Sequence, residues 1–153
     1  MRYLIVVLAV AGIVVSALAL RVHYHNGVEP CDINSHWDCG TVNHSSYATV
    51  PGILWHLSAA RHPDRPGPAP RNGLPIAALG IVGYALIAFA AFRRLRGATL
   101  VLALIGLGFA LYLSNIEAHV LEVWCLYCVI SQGLIAVITL AAIVFVLRRP
   151  KTA

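Results

Sequence analysis

Four long, nearly uncharged apolar runs constrain this chain more than any other feature. They cover about residues 3–22, 74–92, 98–116 and 126–147. Each is close to the roughly 20 residues that a helix needs to cross a bilayer. None alternates with the period of two that a barrel strand requires, so a closed β-barrel is excluded. Lipid offers the backbone no hydrogen-bond partners, which leaves helices. The expected fold is an all-α membrane protein. A four-transmembrane-helix bundle forms one domain over residues 1–153, and residues 23–73 supply an exoplasmic loop and a short amphipathic lid helix. Composition agrees: the chain is 59% hydrophobic, with a mean hydropathy of +0.80.

The first run also has the outline of a signal peptide, with Arg2 ahead of it and Ala17-Leu18-Ala19 near its end. Its apolar stretch is longer than a signal sequence uses, and three later spans alone would make an odd bundle. It is read as a retained helix.

Charge sets the expected orientation. Arg2, Arg93, Arg94, Arg96, Arg148, Arg149 and Lys151 lie on one side of the spans and make up seven of the eleven Lys and Arg. The other side holds Arg21, Arg61, Arg65 and Arg71, with all six acids: Glu29, Asp32, Asp38, Asp64, Glu117 and Glu122. The positive-inside rule places both termini in the cytoplasm. The pI of about 9.3 then follows from topology, and no nucleic-acid partner is expected. All four cysteines, Cys31, Cys39, Cys125 and Cys128, fall on the acid-rich outer side or at its boundary. That compartment is oxidising if it is a periplasm or an ER lumen. Spacing alone leaves all three pairings open.

The outer segment divides by composition. Residues 23–46 are polar and rich in turn formers, so they form loop. In "YATVPGILWHLSAA", Val50, Ile53, Leu54 and Leu57 recur at helical spacing, with Pro51 in the first turn. Such a helix is too short to span and suits the interface, as a lid. "RHPDRPGPAPRNG" is an irregular Pro/Gly connector. Residues 115–124 read as a short turn between the third and fourth spans. Trp37, Trp55 and Trp124 lie on the outer side, where aromatic rings anchor at the interface.

The chemistry concentrates in Cys125-Leu126-Tyr127-Cys128, a C-x-x-C at the start of the last span. On a helix the two thiols would share a face and differ in depth by about 4.5 Å. Cys125 would sit at the rim and Cys128 one turn deeper, toward a lipid-soluble molecule. A helix N-terminus favours thiolate. Val129 follows Cys128, so the haem pattern C-x-x-C-H fails. Cys31 and Cys39 are too widely spaced for a structural zinc pair, and no metal is expected. The seven histidines are outside and read as solvated; a site from His23, His25 and Asp32 or His36 matches no tight ligand motif. Two static disulfides are the bland alternative. A bridge across three residues closes little loop entropy, and the spacing suits exchange better.

A loop cysteine pair, then "CGTVNHSSYATV", then C-x-x-C at the mouth of the fourth span resembles the vitamin K epoxide reductase family across nearly the whole chain. The resemblance implies a membrane thiol:quinone oxidoreductase. It would reduce a quinone (ubiquinone, menaquinone or phylloquinone, or a vitamin K epoxide) and support disulfide formation. Electrons would come from a separate thioredoxin-like periplasmic or lumenal protein, since the chain stops at Ala153. The resemblance casts Cys31 and Cys39 as the shuttle pair, Cys39 as the partner of Cys125, and Cys128 as the group acting on the quinone. Ser45 matches a serine six residues after the second loop cysteine. Asn72 matches an asparagine that hydrogen-bonds a quinone oxygen in animal members. Gln132 stands where those members carry a tyrosine; its amide could donate to the quinone but supplies no phenolic proton, which weakens the analogy with epoxide chemistry more than with quinone reduction.

Leu113 and Leu121 flank Glu117 on one face of the third span and suit an isoprenoid chain or core packing. Glu117 itself is expected in headgroup water rather than in a proton relay. The family layout favours a bacterial inner membrane, with an ER membrane as the alternative. The competing functions are a non-catalytic, disulfide-stapled membrane subunit and a transmembrane thiol relay without quinone. The relay needs cysteines facing the cytoplasm, and the sequence places none there.

Overall fold

The computed structural model describes residues 1–25, 27, 29–59 and 68–148. The charges expected at Arg61, Asp64, Arg65, Arg149 and Lys151 lie outside the described residues, as does most of the Pro/Gly connector. The described part is helical, with isolated β-bridges and no strand. Its helices are α1 (Arg2–Tyr24), α2 (Cys39–Asn43), α3 (Val50–Ala59), α4 (Ile76–Phe92), α5 (Arg96–Ile116) and α6 (Leu126–Leu147). A 3₁₀ turn covers Ser46–Ala48 and a π-helical turn covers Glu117–Leu121.

Three of these elements are long and apolar enough to cross a membrane: Arg2–Tyr24, Arg96–Leu121 and Leu126–Leu147. The fourth expected span is represented by α4, which is apolar and has 17 residues. Large apolar side chains such as Val7, Val14, Ile105 and Leu140 point outward and are more than half exposed. A surface of that kind is suited to lipid and not to water. The chain is an integral membrane protein.

α1 packs against α4 and α6, and α5 packs against α6 and α4. The buried face of α1 carries small residues, Ala9, Gly12, Ser16 and Ala19, which lets backbones approach closely. A Cβ on Gly12 would stand 2.5 Å from the ring of Tyr84 on α4. Tyr84 uses that space to cross the bundle, and its hydroxyl meets the Ser131 carbonyl of α6 at 2.8 Å and the Ser131 hydroxyl at 2.9 Å. Two buried threonine hydroxyls bond a carbonyl four residues back: Thr99 donates to Leu95 O at 2.9 Å and Thr139 to Ile135 O at 2.7 Å.

Basic groups collect at one end. Met1, Arg2, Arg94, Arg96 and Arg148 line one cleft, where Arg96 donates to the Arg148 carbonyl at 2.6 Å. The cysteines collect in a buried cluster with Val22, which lies near the opposite end of α1.

The segment before the C-x-x-C differs from expectation. It is not a short turn over 115–124. The helix runs through Ile116, widens into the π-helical turn and stops at Glu122, whose φ of 55° is left-handed. Glu117, the first residue of the π-helical turn, is buried.

Candidate active site

The loop cysteines are set by local capping. Asp38 is the N-cap of α2, accepting from Thr41 N at 2.7 Å and from the Thr41 hydroxyl at 2.7 Å. These hydrogen bonds hold the Asp38 carboxyl below the ordinary carboxylate range, the Thr41 backbone bond contributing most. Cys39 therefore opens α2 in a fixed position. Asp32 ties the other end of the loop, accepting from Glu29 N at 2.8 Å and from Gly40 N at 3.2 Å. Cys31 and Cys39 form a disulfide, with Cα atoms 5.9 Å apart. Asp32 and the two sulfurs lie within 4.8 Å of one another. The sulfurs are committed to each other and the carboxylate to backbone N–H groups.

The loop is pinned to the segment that precedes the C-x-x-C. Trp124 N donates to His36 O at 2.9 Å and Asp38 N donates to Trp124 O at 3.1 Å, a parallel bridge between Trp37 and Trp124. This pairing brings the two cysteine motifs together. Cys31, Cys39 and Cys125 share one buried cluster with Val22 and Val42, and Cys128 packs on its edge.

Cys125 is not on the helix, as a reading of C-x-x-C within a continuous span would have it. It is the N-cap of α6, in extended conformation, and only Cys128 lies in the first turn. The helix begins after Cys125 because the bridge to the loop holds the preceding backbone extended. Nor is Cys125 at an open rim: it is fully buried, while Cys128 is partly accessible. Both thiols are free. The Cys128 thiol hydrogen-bonds the Cys125 sulfur, and this holds the Cys125 thiol below its ordinary range. A sulfur stabilised as thiolate is the better leaving group in disulfide exchange.

Beneath the cysteines a cavity of about 350 Å³ opens between α1, α4, α5 and α6. Aliphatic side chains make most of its wall. Its polar lining includes Ser16 and His23 of α1, Asn43, Ser45 and Tyr47, Tyr84, Ser114 and Ser131, and Glu117 with Cys128. The roof is the stretch from Val42 to Ala48; no described residue of α3 lines the cavity. Instead α3 braces that roof. His56 stacks on Tyr47 with ring centroids 3.9 Å apart and hydrogen-bonds the Ser46 hydroxyl at 2.8 Å.

The residues expected at the site divide accordingly. Cys128, Ser45, Leu113 and Leu121 line the cavity. Asn72 is exposed and is not among the lining residues. Gln132 also stays off the wall, its side-chain oxygen taken by the Ser114 hydroxyl. Glu117, expected in headgroup water, is instead only 2% exposed and lines the cavity. Asn43 was not anticipated. It is buried, donates to Cys39 O at 2.9 Å and to Cys125 Sγ at 3.5 Å, and its backbone carbonyl meets His23 Nδ1 at 2.6 Å. Its spacing from Cys39 was the available signal, because residues four apart share a helix face.

A membrane-embedded helical protein that gathers a disulfide and a dithiol over an apolar cavity falls in the class of membrane thiol–disulfide oxidoreductases. The sequence pattern of the vitamin K epoxide reductase family matches residues 3–145, and the chain belongs to that family. No curated protein matches the chain. Proteins of this family are generally thiol–disulfide oxidoreductases that act on quinones.

Proposed function

We propose that this protein reduces a quinone with electrons from a separate thioredoxin-like protein, and so supports disulfide formation in the partner's compartment. The observation that carries the reading is the cavity of about 350 Å³ with Cys128 in its wall and the other three cysteines clustered behind it. Its aliphatic wall suits a lipid-soluble ring and chain, and Leu113 and Leu121 in that wall would contact an isoprenoid tail. Four helices, α4 included, cross the membrane in this reading. The arginine-rich end faces the cytoplasm and the cysteines face the periplasm of a bacterial inner membrane.

The electron path follows from the cluster. Cys128 and Cys125 give up two electrons and two protons to the quinone and become a disulfide. Partner dithiol reduces the Cys31–Cys39 disulfide. The Cys39 thiolate then attacks Cys125, freeing Cys128, and Cys31 attacks Cys39 to release Cys125. Each exchange passes through a mixed disulfide and conserves the electron pair. Asn43, touching both Cys39 and Cys125, sits at the point of exchange.

The test is purified protein with dithiothreitol and a panel of quinones, followed by absorbance. Wild type reduces at least one quinone, and Cys128→Ser falls to the uncatalysed rate. Normal turnover by Cys128→Ser overturns the assignment.

A further inference from the structure

Glu117 is the one carboxyl among the described residues that line the cavity. It opens the π-helical turn and is only 2% exposed. Its Oε2 accepts the Cys125 N–H at 3.3 Å, and it shares the cavity wall with Cys128. It forms no ion pair with any described residue. An unpaired carboxyl buried in a membrane protein is costly to keep, and such residues commonly mark a proton path.

We infer that Glu117 is a catalytic acid–base group that moves the Cys128 proton to the quinone. The inference rests on the quinone reading above. The Glu117 carboxylate takes the Cys128 thiol proton as the sulfur attacks the quinone ring. A C–S bond forms, and the ring's electron pair moves to one oxygen. Glu117, now protonated, gives that proton to the oxygen. The Cys125 sulfur then attacks Cys128; the S–S bond forms, the C–S bond breaks, and its electron pair returns to the ring. The Cys125 thiol proton goes to the second oxygen, again through Glu117. The sum is one quinone and two thiols to one hydroquinone and one disulfide. No further oxidant or reductant enters.

A purely structural role is the competing account, since Glu117 also ties down the N–H of Cys125, the N-cap of α6. Glutamine keeps that acceptor oxygen and the size of the side chain while removing the exchangeable carboxyl. The experiment compares wild type, Glu117→Gln, Glu117→Asp and Glu117→Ala in detergent, with dithiothreitol and ubiquinone-1, and with and without formate. Folding is checked by the Cys31–Cys39 disulfide in non-reduced peptides. Glu117→Gln should lose about a hundredfold or more in kcat. Glu117→Asp should lie between Glu117→Gln and wild type, and formate should restore Glu117→Ala severalfold. A Glu117→Gln rate within about threefold of wild type overturns the inference, because an acceptor oxygen alone then suffices. If Glu117→Gln does not fold, Glu117→Asp and the formate rescue decide: no rescue, with Glu117→Asp as slow as Glu117→Ala, overturns it. If wild type reduces neither ubiquinone-1 nor any other quinone, the quinone reading fails and the inference with it.

Discussion

Asn43→Ala should slow the transfer of electrons between the two cysteine pairs without unfolding the protein. The Asn43 amide is buried and spends its N–H groups on Cys39 O at 2.9 Å and Cys125 Sγ at 3.5 Å. The carbonyl bond contributes about 0.5–1.5 kcal/mol. The longer sulfur contact is weak to a neutral thiol, but it strengthens when Cys125 carries negative charge as the leaving group. An interaction that grows along the reaction lowers the barrier and not merely the ground state. Losing both contacts should cost about 1–2 kcal/mol, which is about a 5–30-fold slower exchange. Rapid mixing of partner-reduced protein, quenching with maleimide and mass analysis measure the appearance of the Cys31–Cys39 disulfide directly. Asn72→Ala, exposed and off the cavity wall, is the control and should stay within about twofold of wild type. If Asn43→Ala exchanges at the wild-type rate, or Asn72→Ala slows as much, the amide does not act at the exchange point.

Two further outcomes follow from the packing. In a Cys31→Ser, Cys128→Ser double variant, Cys39 and Cys125 are the two thiols left in the buried cluster and should join under mild oxidation; non-reduced peptide mass spectra carrying both as free thiols would refute the relay order. Gly12→Val would press a side chain into the Tyr84 ring, 2.5 Å from the new Cβ, and should lower the thermal midpoint in detergent by a loss of about 1–3 kcal/mol; an unchanged midpoint would mean that α1 and α4 are free to move apart.

Apolar content and charge made the long helices legible. The last span begins and ends where its composition does, at Leu126–Leu147, and α1 and α5 exceed the expected bounds by a residue or two at each basic end. What could not be read locally depends on contacts across the chain. Glu117 looks like the end of a span because a charge follows an apolar run. Its burial depends on the Cys125 N–H, eight residues on, and on the cysteine cluster beyond it. Asn72 sits just before α4 and looked well placed for a ligand. Thr49 bridges to Pro75 and Val50 N donates to Leu74 O at 2.9 Å, an arrangement that leaves residues 71–74 exposed. The roof over the cavity comes from the stretch after Cys39, and not from the amphipathic helix whose periodicity was easier to see. Periodicity identifies a surface helix; it does not say which neighbour that helix serves.

The chain holds one disulfide and one dithiol at the same time. It can store two electron pairs and here carries one, already at the end that faces the cavity. The loop pair is oxidised and buried, while the pair beside the cavity is reduced. A population in this state needs no reductant for its first turnover. On the quinone reading proposed above, it would release a single stoichiometric pulse of hydroquinone, one per chain, and then stop until a dithiol reduces it again. The height of that pulse counts the charged molecules in a preparation before any rate is measured.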